Sequence, residues 1–269
     1  MGAGLLALPL GGCLGVFAGD ASSISVGSHA KGALVHGVAL PFEGPGYAVP
    51  PDWRPRDHRY TTEEVARWLA AVFRDVAAEV PDGVAHLGDV SGKRGGDVAM
   101  HRSHASGRDV DVFFMACDSA GRPLRDQAAM IHFDPDGRAA RWSPGRPGRT
   151  LPQPVPEGQF DARRNWAVVR AMLSIPGAEV QWIFVHQALA ALLLAEAERE
   201  GTAPELLARA QAVLHQPSDS QPHDDHMHVR LYCDPADRAF GCSDKGPKRW
   251  LKKHWKYMRN GESLAPPRS

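Results

Sequence analysis

Two short segments in which polar and apolar residues alternate constrain the fold of this 269-residue chain more than any other feature. Asp109 and Asp111 alternate with valines in "GRDVDVFF", and His226 and His228 alternate with apolar residues in "HMHVRLYC". Successive side chains of a β-strand point to opposite faces. The pattern therefore predicts two strands, each with one face in the core and one polar face that gathers acids or imidazoles.

The remaining segments predict helices and strands in an irregular order. "TTEEVARWLAAVFRDVAAEV", residues 61–80, is typical of an amphipathic helix with a capping box of Thr61 and Glu64. "EVQWIFV" is strand-like, and the region 122–159, rich in Pro, Gly and Arg, predicts a long surface excursion. Such an order favours an α+β domain. We expect a mostly antiparallel central sheet flanked by helices, with a metal site on the polar face of the sheet.

Composition narrows the function classes. Acidic and basic residues number 31 each, so no global field would attract nucleic acid, and no nucleic-acid partner is predicted. The 13 histidines are about twice the ordinary share. Their excess favours a metal site or a proton-transfer site.

The spacing of the histidines and acids indicates which metal. His104 and Asp111 form H-x6-D, and His226 and His228 form H-x-H more than a hundred residues later. Either motif alone is more often a hydrogen-bonded core histidine or a solvated carboxylate. Two neighbouring antiparallel strands would join them into a set of two imidazoles and a carboxylate. Zinc accepts that set when one position stays open.

The two ends of the chain carry segments of their own. The apolar residues 1–22 resemble an export signal, or a lipoprotein leader with Cys13 as the lipidated residue; a buried N-terminal segment with a structural Cys is the alternative. The tail 245–269 interleaves Lys and Arg with aromatic residues. It is either a solvated tail or a contact for membrane or anionic wall polymer.

Cysteine usage leaves two interpretations open. Cys233 and Cys242 bracket a short polar loop and can close a small disulfide ring, as in exported proteins, whereas Cys117 has no evident partner. The alternative is a cytosolic protein with unpaired thiols.

The paired motifs, "SHASGRDVDVFF" and "HDDHMHVRLYC", resemble the signature segments of the penicillin-insensitive murein endopeptidases. These zinc peptidases are related to D-alanyl-D-alanine carboxypeptidases and dipeptidases. "SVGSHAKGALVHGVALP" and "WIFVHQALAALLL" are also similar, so the resemblance extends with gaps from about residue 25 to residue 242. It implies an α+β catalytic domain at 23–244, bound zinc, and hydrolysis of peptide cross-links in bacterial peptidoglycan by a periplasmic or envelope protein.

The resemblance also implies a role for each site residue. His104, Asp111 and His228 are the implied zinc ligands, and His226 is the implied catalytic residue beside the metal. No Glu lies near the H-x-H segment, so His226 is the expected proton acceptor. Two further histidines complete the implied site: His223 as a second active-site residue and His101 at its rim or behind a ligand.

Asp109 shares a strand face with Asp111. It is expected either to orient a ligand histidine or to be an ordinary hydrogen-bonded strand carboxylate.

This chain departs from the family at two places. "SDSQP" stands where the family has an aromatic residue before the second motif, and the Gly-rich loop carries Lys93 and Arg94. These departures leave the metal motifs intact, and the resemblance makes a D,D-endopeptidase the first expectation. The alternatives are a carboxypeptidase or dipeptidase, favoured if Lys93 or Arg94 holds a terminal carboxylate, and a wall-binding protein without turnover.

Overall fold

The computed structural model describes residues 23–124, 130–144 and 150–246. The predicted leader at 1–22, with Cys13, and the predicted tail beyond residue 246 lie outside these ranges. Across the described ranges, no helix has both the length and the apolar character that crossing a membrane requires.

The described elements are mostly short strands. The strands are β1 Ile24–Gly27, β2 Gly32–Val35, β3 Val38–Ala39, β4 Glu43–Gly44, β5 Tyr47–Ala48, β6 Tyr60–Thr61, β7 Ala85–His86, β8 Asp109–Phe113, β9 Ala116–Cys117, β10 His132–Phe133, β11 Arg138–Pro144, β12 Thr150–Phe160, β13 Val180–Phe184, β14 Leu214–His215 and β15 His226–Leu231. The α-helices are α1 Glu63–Glu79, α2 Ala162–Ser174, α3 Gln187–Arg199 and α4 Pro204–Val213. Two 3-10 turns lie at Arg54–Arg56 and Asp237–Phe240.

The sheet that positions the site has the strand order β14-β13-β15-β8. β15 is antiparallel to both β13 and β8, and only the short β14 is parallel to its neighbour. The register places His228 opposite Asp111 and Arg230 opposite Asp109. The predicted α+β fold and the pairing of the two motif strands are therefore confirmed.

The apolar faces of these strands and of the helices share one core. On β15, Met227, Val229 and Leu231 are fully buried and belong to the same hydrophobic cluster as the predicted face of α1. The predicted cap is wrong: α1 begins at Glu63, and Thr61 is the last residue of β6, where its hydroxyl donates to the carbonyl of Gly107. Because Thr61 pairs with β3, it belongs to a strand and does not cap the helix.

The predicted surface excursion at 122–159 is also wrong in its described part. β10, β11 and β12 form an antiparallel sheet that ends on β9. Phe133 and Phe160 of this sheet are buried against Phe114, which directly follows the motif strand β8. The region is therefore tied to the strand that carries Asp109 and Asp111.

Arg108 links the N-terminal strand β1 to the C-terminal end of the described chain. Its buried guanidinium donates to the Ser25 hydroxyl, the Leu231 carbonyl and the Asp244 carboxylate. The predicted disulfide between Cys233 and Cys242 is present, with 5.9 Å between the two Cα atoms.

Candidate metal centre

The two motif strands and one loop bring the predicted ligands together. Asp111 projects from β8 and His228 from the neighbouring position of β15, both buried. His104 lies in the preceding loop with a φ of 68°, a left-handed conformation that turns its fully buried imidazole over the strand. Backbone strain at a non-glycine residue is common where a side chain is held for function.

One carboxylate oxygen is the centre of this cluster. Asp111 Oδ1 lies 3.1 Å from His228 Nδ1, 3.3 Å from His104 Nε2 and 3.5 Å from His226 Nε2. None of these approaches has hydrogen-bond geometry, and both Asp111 oxygens and His104 Nε2 are buried without a hydrogen-bond partner among the described residues. Buried polar atoms are costly to leave unpaired. Atoms that share a cation approach each other in this way.

The other ring nitrogen of each predicted ligand histidine is held by an oxygen. His104 Nδ1 lies 2.7 Å from the Val90 carbonyl, and a carbonyl can only accept, so Nδ1 carries the proton. His228 Nε2 lies 2.9 Å from Asp109 Oδ1, which leaves Nδ1 as the free lone pair. A carboxylate or carbonyl behind a ligand imidazole fixes its tautomer and orientation. Asp109 thus lies where a carboxylate that orients a ligand histidine would lie.

His101 is held in a similar way by Asp89, an acid that the sequence did not single out. His101 Nε2 lies 2.9 Å from Asp89 Oδ2, and its Nδ1 lies 4.0 Å from Asp111 Oδ2. Asp89 is buried and also meets Arg56 and His58 at 2.6 and 3.2 Å. His101 therefore lies at the edge of the cluster, with its Nδ1 towards Asp111.

His226 is held by its sequence neighbour Asp225. Its Nδ1 lies 2.6 Å from Asp225 Oδ1, while its Nε2 faces Asp111. His132 of β10 extends the chain of contacts, since its Nε2 lies 3.4 Å from Asp225 Oδ2 and its Nδ1 lies 2.8 Å from Asp224 Oδ1. The sequence displayed both acids beside the histidines, but it gave no sign that a third strand would supply His132.

The pKa values of His226 and His223 are shifted in opposite directions. Burial lowers the pKa of His226, but the Asp111 and Asp225 carboxylates outweigh burial and raise that pKa to about 9. A divalent cation on Asp111 would oppose this effect, because a bound ion is often the largest charge in its site. Burial, reinforced by His226 and His228, lowers the pKa of His223 to about 3, so His223 is neutral at neutral pH.

The cluster opens into a cavity of about 890 Å³. His101, His223, His226 and His228 line it. Further lining comes from aromatic residues of β13 and β14 and from two arginines, namely Trp182, Phe184, His215, Arg102 and Arg230. "SDSQP" lacks the aromatic residue that the family has at this place. In this chain β13 and β14 supply aromatic side chains to the cavity. Lys93 and Arg94 are exposed and are not among the lining residues.

The arrangement defines an α+β protein with a candidate metal centre of imidazole and carboxylate donors at the floor of an open cavity. Among the described residues, three sets of three donors have ligand atoms within 4.8 Å of one another: His101/His104/Asp111, His223/His226/His228 and His132/Asp224/Asp225.

Residues 25–142 match the sequence model of the penicillin-insensitive murein endopeptidase family. The match confirms the resemblance, and the matched residues include His101, His104, Asp109 and Asp111. The histidines at 223–228 lie outside the matched residues. No curated protein matches the chain.

Proposed function

We propose that the protein is a zinc-dependent D,D-endopeptidase that hydrolyses peptide cross-links in bacterial peptidoglycan. The match to a murein endopeptidase family supports the reaction class. The observation that carries the metal dependence is the convergence of buried, unpaired donor atoms on Asp111 at the floor of a substrate-sized cavity.

His104, Asp111 and His228 would hold the zinc. They are the most deeply buried donors of the cluster, and His104 and His228 each have their second nitrogen held by an oxygen. Two imidazoles and one carboxylate with an open side are a donor set typical of catalytic zinc. When bound, the ion would supply Lewis acidity that polarises the scissile carbonyl and lowers the pKa of water.

The proton transfers fall to His226. Its Nε2 faces the cluster and the cavity, and Asp225 holds the proton on Nδ1, so the Nε2 lone pair can accept a proton from the attacking water and deliver it to the leaving amine. His223, kept neutral by burial, lies on the cavity wall with its ring 5.4 Å from that of His226. It contacts the substrate or supports His226.

The two rival functions rest on weaker observations. The carboxypeptidase or dipeptidase alternative depends on Lys93 or Arg94 at a terminal carboxylate, and neither residue is among those that line the cavity. A wall-binding protein without turnover would have no need for a histidine placed between Asp225 and the cluster. Export is supported by the disulfide, which persists in oxidising compartments.

Cross-linked dimeric muropeptides incubated with the zinc-loaded protein separate the three functions. An endopeptidase releases monomers, a carboxypeptidase releases D-alanine, and a binding protein retains the dimers without products. Inactivity towards dimers in the presence of stoichiometric zinc would refute the proposal.

The ligand assignment is tested by metal content. Single Ala variants of His104, Asp111 and His228 should each bind zinc below stoichiometry and lose activity, and a chelator should inactivate the wild type. His36→Asn, at an exposed histidine outside the cluster, is the matched control and should keep both properties. Full zinc occupancy in all three ligand variants would show that other residues hold the metal.

His226→Ala distinguishes a proton carrier from a ligand. It should keep its zinc and its fold while turnover falls by roughly 10²- to 10⁴-fold, the usual contribution of a positioned proton-transfer group. Loss of zinc would make His226 a ligand and leave His223 as the proton carrier.

A further inference from the structure

The cavity contains an arginine, Arg230, that pairs with Asp109 through its Nε alone. Arg230 follows His228 by two positions on β15, so both side chains lie on the same face of the sheet. Its Nε donates to Asp109 Oδ1 at 2.8 Å, and its guanidinium lies over the Phe184 ring, 4.8 Å from the centroid. Among the described residues, neither terminal nitrogen of Arg230 has a hydrogen-bond partner, and the side chain is 13% exposed.

This geometry is suited to binding a carboxylate. With Nε occupied, the edge of the guanidinium formed by its two terminal nitrogens remains available, and that edge matches the two oxygens of a carboxylate. The aromatic ring beneath the guanidinium and the low exposure reduce competition from water. Among the described residues that line the cavity, Asp219 is the one acid, and its backbone carbonyl accepts from Arg102.

The distance from the cluster indicates which carboxylate. Residues two positions apart on a strand are about 7 Å apart, and one extended peptide residue spans about 3.5 Å. A carbonyl placed at the His228 end of the cavity would thus put the carboxylate of the next residue within a hydrogen bond of Arg230. Resting on the proposed function, we propose that Arg230 binds a free carboxylate on the carbon that carries the scissile nitrogen. The enzyme then selects peptides whose amine-side residue bears that group.

A purely structural role for Arg230 makes a different prediction. Asp109 accepts from both Arg230 and His228, so Arg230 could act only by holding Asp109 against the histidine. In that case its loss would weaken zinc binding and turnover for every substrate alike. A carboxylate anchor, by contrast, changes the preference between substrates that differ in that group alone.

The experiment compares two synthetic cross-linked stem-peptide dimers that are identical except that the carboxylate beside the scissile nitrogen is free or converted to a carboxamide. KM and kcat are measured with the full zinc-loaded chain, and dissociation constants by calorimetry if neither dimer is cut. The variants are Arg230→Gln, Arg230→Lys and, as matched control, Arg102→Gln, which removes an exposed cationic group from the same cavity. Thermal melting and zinc content are recorded for each.

The wild type should prefer the free carboxylate roughly 10- to 100-fold in kcat/KM, chiefly through KM, as expected for a charge-assisted hydrogen bond. Arg230→Gln should bring the ratio near one, Arg230→Lys should retain part of it, and Arg102→Gln should leave it unchanged. Equal use of both dimers by the wild type overturns the inference even if a variant fails to fold. An unchanged preference in folded Arg230→Gln overturns it as well. If neither dimer is cut but Arg230-dependent preference appears in binding, the proposed function fails and the anchor stands.

Discussion

Replacing Asp225 by Asn tests whether this carboxylate makes His226 competent to carry protons. The 2.6 Å contact between Asp225 Oδ1 and His226 Nδ1 holds a proton on Nδ1 and leaves Nε2 free. An Asn can instead turn its NH₂ group towards Nδ1, which favours the tautomer with the proton on Nε2. Asp225→Asn should therefore keep zinc and lower turnover.

The magnitude follows from the contact. A hydrogen bond to a charged group contributes about 1.5–3 kcal/mol, and 1.36 kcal/mol corresponds to tenfold in rate, so turnover should fall roughly 10- to 150-fold. This is smaller than the loss expected for His226→Ala, because the imidazole itself remains. Asp224→Asn is the matched control. Asp224 contacts His132 and acts on His226 through its charge without a hydrogen bond, and a partly exposed pair contributes about 0–1 kcal/mol, so the loss should stay within about fivefold.

The assay is a double-mutant cycle on dimeric muropeptides, with zinc content measured for each variant. If Asp225 acts through His226, Asp225→Asn should have no effect in the His226→Ala background. An equal loss of turnover in both backgrounds, or no loss in the wild type, would refute the reasoning.

Three further predictions concern stability. Burial and the charge of Arg230 lower the pKa of His29 to about 4 in the folded protein, whereas the pKa of this histidine in the unfolded chain is 6.5. Protons therefore favour the unfolded state as the pH falls through this window, and the wild type should lose about 2 kcal/mol more than His29→Gln between pH 7 and pH 5 in urea titrations. Arg108→Met removes one of the two guanidinium partners of the buried Asp244 carboxylate, which keeps Arg238 and the Cys233 N–H, and should cost about 1.5–3 kcal/mol; a loss below about 1 kcal/mol would contradict the assigned contacts. Opening the Cys233–Cys242 ring with Cys233→Ala should cost about 2–3 kcal/mol, and a reductant should abolish the difference from the wild type.

The sequence predicted the strands of the site because alternation is a local property. Asp109 with Asp111, and His226 with His228, lie on the polar faces that their spacing required. The predicted capping box was wrong because Thr61 instead pairs with β3 and donates to the carbonyl of Gly107. Both contacts depend on residues distant in sequence, so no local pattern shows them. The sheet built from β10, β11 and β12 was missed for a similar reason, since Pro and Gly in 122–159 favour loops unless tertiary pairing overrides them.

Within the site, the sequence likewise could not predict most of the oxygens that orient the imidazoles. His226 is held by the adjacent residue, but His101, His104 and His228 are held by oxygens 12, 14 and 119 positions away. Residue type and strand period can predict which side chains reach the centre. They cannot predict which nitrogen of each imidazole is free to bind a metal, because the hydrogen-bond partner of the other nitrogen determines the tautomer. Mutation of the side-chain partners Asp89, Asp109 and Asp225, with the metal content unchanged, therefore tests the chemistry of the centre more directly than removal of the histidines, which also removes donors.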